Sequence, residues 1–161
     1  MRRSDSYRRQ FDLAIGEIGR VVQLNPSDAE GYLHRVGLLV ILGRSGEAVA
    51  DLEIAKSLIP GLPSGSGALP PVGWAYYLQH RYQEAITAFA ASDHAMPKSY
   101  FFHAGLAASH AQLGRKEEAA HSAADVLRTW PFFRVDQFIT NFQDEADRTL
   151  IAEGLRKAGL E

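Results

Sequence analysis

Tyr82-Gln83-Glu84-Ala85-Ile86-Thr87-Ala88-Phe89-Ala90-Ala91-Ser92-Asp93-His94-Ala95-Met96-Pro97 decides the fold. It reads as an amphipathic helix with a small residue, Ala85, a large one, Phe89, four positions on, and a proline at its end. The same plan occurs four times. Phe11, Ala14, Ile18 and Pro26 form the first copy, Ser45, Ala48, Leu52 and Pro60 the second, and Lys116, Ala119, Ala123 and Pro131 the fourth. Ala14, Ala48, Ala85 and Ala119 lie 34, 37 and 34 residues apart, and the four prolines keep that spacing. A stride of this length denotes stacked helical hairpins, because one hairpin alone cannot bury its apolar face.

Upstream, residues 7–24 form a helix with Phe11, Ile15, Ile18 and Val22 on one stripe. Asn25-Pro26 stops it, since the residue before a proline is pushed out of the helical region. In the repeat this is a second helix without its first, so the chain reads as cut short at its N-terminus or capped there by something outside it. Ser27 or Asp28 can cap the next helix, with Glu30 in capping-box spacing to Ser27. That helix runs over 29–42 and ends at Gly43, which can turn left-handed. Its partner covers 45–58. Pro70 or Pro71 suits the first turn of a helix reaching Gln79, paired with the 82–95 helix. Helices over 100–113, closed by Gly114, and 116–129 make the last full pair.

The extra three residues of the middle interval come from Gly61-Leu62-Pro63-Ser64-Gly65-Ser66-Gly67. No lysine follows these glycines in the phosphate-loop position and no strand precedes them, so the stretch is expected to be a surface linker. After Pro131 the period breaks. Val135, Phe138, Ile139 and Phe142 form a short apolar stripe, and Asp144 caps a final helix to about Ala158 with Leu150, Ile151 and Leu155 on its apolar side. An array must cover its last hydrophobic face, so atypical closing helices are expected. No segment reads as a strand. The expected fold is all-α: stacked antiparallel helix pairs forming a short right-handed superhelix. The expected division is a partial repeat at 1–26, helix pairs at 27–60, 66–97 and 98–131, and capping helices at 132–161.

Composition bounds the function. Of 161 residues, 46% are apolar, enough for a core, and a net charge of −2 gives no general reason to bind nucleic acid. Cysteine is absent, which removes disulfide and thiolate chemistry. Met1-Arg2-Arg3-Ser4-Asp5-Ser6-Tyr7-Arg8-Arg9 leads into no apolar signal core, and Val36 to Leu42 is too short to span a bilayer. A soluble cytoplasmic protein is expected.

The repeat resembles the tetratricopeptide repeat, whose pattern places an aromatic, Leu-Gly and Tyr on the first helix and Ala, Phe and Pro on the second. Gly73, Tyr76, Ala85, Phe89 and Pro97 match in the third repeat, Leu106, Ala107, Ala119 and Pro131 in the fourth, and Ala48, Ala55 and Pro60 in the second, where Arg35-Val36 replaces Leu-Gly. The resemblance covers residues 7–131. A narrower one concerns Phe142 to Leu160, above all Gly154-Leu155-Arg156-Lys157-Ala158-Gly159-Leu160, which looks like the tail closing the tetratricopeptide regions of proteobacterial class III adenylate/guanylate cyclases. It implies a regulatory appendage whose catalytic domain lies elsewhere; nothing in this chain matches that domain.

In tetratricopeptide arrays the concave face built by the first helices usually binds. Here the resemblance and the three- and four-residue steps assign to it Leu33, Gly37, Val40 and Ile41, then Trp74, Tyr77 and Leu78, then Phe101, Ala104, Ala108 and Gln112. This surface is apolar and aromatic and lacks the cations that grip a terminal carboxylate, so an apolar peptide or amphipathic helix is the expected occupant. Trp74 and Tyr77 could instead pack against the closing helices.

No other constellation carries chemistry. His103 and His110 share a face but occupy packing slots, with no further ligand to complete a metal site. His34, His80, His94 and His121 are scattered. Arg2, Arg3, Arg8 and Arg9 read as a solvated helix start, and Asp144, Glu145 and Asp147 as carboxylates favouring the positive end of a helix. The expectation is a non-enzymatic interaction module with no cofactor and no metal, a protein or peptide partner, no nucleic acid and no membrane span. Self-association as a homodimer is the alternative, and an undetected hydrolase or transferase ranks last.

Overall fold

The computed structural model describes the backbone of residues 3–59, 70–95 and 99–161, and the side chains of 9–59, 71–91 and 99–161. Nine α-helices are described: α1 Arg3–Leu24, α2 Ala29–Ile41, α3 Ser45–Leu58, α4 Pro70–Leu78, α5 Tyr82–Ala95, α6 Tyr100–Gln112, α7 Lys116–Thr129, α8 Val135–Phe138 and α9 Glu145–Lys157. A 3-10 turn, Ile139–Asn141, follows α8, and there is no strand among the described residues. The expected helices form, with α1 starting earlier than residue 7 and α4 ending before Gln79. The glycine loop at 61–67 lies outside the described residues.

α2 packs on α3, α4 on α5 and α6 on α7, and each pair leans on the next, while α1 packs on α2. Of the four small residues that set the stride, Ala48, Ala85 and Ala119 are buried and Ala14 is half-buried. A close fit surrounds Phe89 of α5. A Cβ on Gly73 of α4 or on Gly105 of α6 would overlap the Phe89 ring. Two glycines thus let one phenylalanine sit between successive first helices, burying its whole surface, worth about 1.5–3 kcal/mol.

The second repeat departs from the family pattern at Arg35, and the reason is a different helix–helix link. Arg35 Nε and Nη2 donate to the two Asp51 carboxylate oxygens of α3, both at 2.6 Å. The Asp51 side chain is only 6% exposed, and this fork gives it the paired, hydrogen-bonded partner that a buried side chain of this kind needs. Gly43 and Gly114 turn left-handed (φ 77° and 73°) to close α2 and α6. The corresponding place after α4 holds His80 (φ 57°), whose Nδ1 lies 2.7 Å from the Tyr82 hydroxyl.

Asp28, rather than Ser27, caps α2 by accepting from the Gly31 N–H at 3.2 Å. Asp144 caps α9, accepting from the Asp147 N–H at 3.0 Å. No helix of the described residues is long and apolar enough to cross a membrane.

Candidate binding cleft

Helices α2, α4 and α6 present the concave side, and the segment from Val135 to Leu160 lies in it. The chemistry of that segment explains why. Val135, Phe138, Phe142, Ile151, Leu155 and Leu160 are all buried, in one hydrophobic cluster with Trp74, Tyr77 and Phe102 of the first helices. Both ends are tied together, the Val135 N–H donating to the Glu161 carbonyl at 2.9 Å.

α9 settles on α4 and α6 through Gly154. A Cβ there would collide with the Tyr77 hydroxyl and approach Ala108 Cβ at 3.1 Å. The Tyr77 hydroxyl donates to the Leu150 carbonyl at 3.0 Å and accepts from Gln112 Nε2 at 3.2 Å. Burial pushes this phenol well above its ordinary range, so it stays a neutral donor. Gln112 also accepts from Lys157 Nζ at 3.1 Å. At the other end, the Gln143 N–H donates to the Ile41 carbonyl at 2.8 Å, and Asp144 presses against Gly43.

Trp74 sits at the middle of this seam. Its ring meets Phe89 and Phe101 of the array at 5.2 and 5.9 Å, and Phe138 and Phe142 of the closing segment at 5.7 and 5.5 Å. These are edge-on or tilted contacts, the arrangement that aromatic quadrupoles favour.

The closing segment does not fill the groove completely. A cleft of about 370 Å³ remains at the N-terminal end, between α1, α2, α4 and residues 140–143. Its floor is Trp74, Val40 and Phe142; Gly37, Ile41, Pro71, Phe101 and Phe11 make its walls. Gly37 widens it, since its missing side chain would come within 3.3 Å of the Pro71 ring. The Trp74 indole N–H is buried and has no acceptor among the described residues. Thr140 and Asn141, at the rim, are satisfied by the Gln137 and Phe138 carbonyls.

Of the residues assigned to the concave face, Gly37, Val40, Ile41, Trp74 and Phe101 meet in this cleft. Tyr77, Ala108 and Gln112 meet α9 instead. Leu78 and Ala104 are core residues and Leu33 is half-buried against the core. Phe11, Pro71 and Phe142 line the cleft without having been assigned to it. The apolar stripe after Pro131 was the signal for Phe142; its destination was not readable from periodicity.

The histidines stay apart from this site. His103 is buried near Asp125 at 3.9 Å, which His121 approaches at 3.7 Å. His110 is half-buried, its pKa lowered by loss of solvent. No group of three ligand-type side chains able to hold a metal occurs among the described residues. His94 and most of the N-terminal arginine cluster lie outside the residues whose side chains are described. Asp147, in the first turn of α9, has its carboxyl raised to about 6 by burial and by Asp144.

Stacked pairs with alanine contacts, glycine-seated Phe89 and a partly filled concave face define a tetratricopeptide-like superhelix. A family pattern described as "Tetratricopeptide repeat" matches residues 73–132. The small glutamine-rich tetratricopeptide repeat-containing protein 2 of Mycosarcoma maydis is 26% identical over 120 residues, 74% of this chain and 33% of that protein. The chain therefore spans about a third of the length of that curated relative. The crystal structure of MamA is similar in fold, with a TM-score of 0.66 at 18% identity over 98% of this chain and 93% of that one.

Proposed function

We propose that the chain is a non-catalytic protein-interaction module that holds apolar side chains of a partner segment in the cleft floored by Trp74. The observation that carries this reading is the cleft itself: an apolar hollow on the side where repeats of this kind usually bind. Its volume lies near the lower end of the roughly 300–1,000 Å³ typical of ligand sites. It suits two or three anchoring side chains of a short helix or extended peptide, not a whole helix.

The finer assignment is a regulatory region of a nucleotide cyclase on the cytoplasmic side. The resemblance of Phe142 to Leu160 to the tails of such regions supports it, and a cyclase domain in the reading frame upstream of Met1 would be its direct sign. The division into a half repeat at 1–26, three pairs over 27–131 and a closing segment at 132–161 belongs to the same reading.

The test is titration of apolar helical peptides by fluorescence anisotropy. Trp74 is fully buried, so its truncation would disturb the fold; Ile41, half-exposed in the cleft wall, is the better probe. Ile41→Glu should weaken peptide binding at least about tenfold, about 1.4 kcal/mol, with unchanged circular dichroism. Equal binding by both proteins would reject the cleft.

A further inference from the structure

We propose that a hollow beside the cleft, formed between the start of α6, the end of α7 and α8, binds an aromatic side chain that stands next to a carboxylate in an extended segment of a partner protein. Its ring walls are separate from the cleft, and the proposal stands or falls independently of the reading of that site.

A turn builds the hollow. α7 ends at Thr129, and Pro131 cannot continue it. The Phe133 N–H donates to the Trp130 carbonyl at 3.1 Å, which closes a tight turn. Both rings thereby meet Tyr100, Trp130 at 4.4 Å and Phe133 at 6.3 Å between centroids. Phe138 of α8 completes the set, 5.4 Å from Phe133 and 6.4 Å from Tyr100. Phe133 and Phe138 are buried and make the floor, while Tyr100 and Trp130 are half-buried and make walls that a partner can reach.

The space is about 180 Å³, below the roughly 300–1,000 Å³ of a site for a whole small molecule, so it suits one side chain. A planar ring fits it best. Its walls are themselves rings, and aromatic pairs gain from edge-on contact beyond the area they bury.

The opening carries a cation. Arg134 borders the hollow and is exposed. Asp136, two residues on, is engaged by Arg156 at 2.6 Å, and the Arg134 guanidinium makes no ion pair or hydrogen bond among the described residues. Thr140 and Asn141, also at the rim, donate to the Gln137 and Phe138 carbonyls. Arg134 is thus the charged group left to meet a partner, and a guanidinium matches a carboxylate with two parallel hydrogen bonds. Tyr, Trp and Arg around one small pocket is also the composition on which binding energy concentrates in protein interfaces. Thr140 and Asn141 are the residues that the hollow shares with the cleft, so it adjoins that site without being part of it.

The chain's two tryptophans make the test selective. Trp130 lines the hollow and Trp74 the cleft, so their indole N–H cross-peaks in isotope-labelled protein report the two sites separately. The probes are N-acetylated, C-amidated dipeptides, in which only a side chain can be charged: Phe-Glu, Phe-Gln, Phe-Lys and Leu-Glu. Each is titrated to about 10 mM, which reaches millimolar affinities, at low salt, where an exposed pair is least screened. Phe-Glu should move the Trp130 cross-peak saturably. It should bind at least about twofold tighter than Phe-Gln, the margin of an exposed ion pair, and tighter than Phe-Lys and Leu-Glu. Arg134→Glu should reverse the order, Phe-Lys then binding tighter than Phe-Glu, with circular dichroism unchanged. A Trp130 cross-peak that stays still overturns the proposal; if the Trp74 cross-peak moves instead, the reading of the cleft survives. A Phe-Glu preference that persists in Arg134→Glu, or Leu-Glu binding as tightly as Phe-Glu, overturns it equally.

Discussion

Phe89 shows how one residue reads the stride of the whole array. Its ring lies between α4 and α6, held by the absence of side chains at Gly73 and Gly105. Gly73→Ala should destabilise the protein by about 1–3 kcal/mol through overpacking, even though alanine is the better helix former by about 1 kcal/mol. In a Phe89→Leu background the same substitution should cost much less, because a slimmer side chain leaves room. Urea unfolding of the four proteins measures the coupling; equal effects in both backgrounds would show that the ring and the glycine are not in contact. Gly73 and Phe89 were legible as family positions, while Gly105 needed the structure, because a glycine in a run of small residues carries no pattern of its own. Arg35 was legible only as a departure. That it pairs with Asp51 follows from which face of α3 turns inward, and a single carboxylate among many does not announce that.

At the scale of elements, the helices were readable almost throughout, since prolines, left-handed glycines and apolar periodicity act within a few residues. The placement of α9 was not. Periodicity shows which side of a helix is apolar but not which of several apolar surfaces it will meet. Gly154 and the Tyr77 hydroxyl, 77 residues apart, decide it. The N-terminus of α9 also carries a pH dependence. The Asp147 carboxyl is raised from 3.8 to about 6, so the folded chain holds its proton more tightly than the unfolded chain does. The stability from that protonated form is complete below pH 3.8 and is lost as the pH rises through about 6. Asp147→Asn should therefore raise the melting temperature at pH 7.5 and leave it nearly unchanged at pH 3.5. A variant that melts identically to wild type at pH 7.5 would show Asp147 to be well solvated.

For the whole molecule, the sequence reading of an apolar concave face was a statement about residues, and the structure converts it into a statement about space. Most of that face is taken by the chain's own closing segment. Among the described residues the N-terminal end, between α1, α2, α4 and residues 140–143, stays open as the cleft. The functional proposal depends on that division, because a groove emptied of α9 would offer Tyr77, Ala108 and Gln112 as well, and would accept a full helix. Nuclear Overhauser contacts of the Gly154 α-protons in labelled protein test the division most directly. The account predicts strong cross-peaks from those protons to the Tyr77 ring and to the Ala108 methyl. Their absence, in a protein whose Trp74 and Phe89 rings still show contacts with each other, would mean that α9 does not occupy the groove, and would contradict the account.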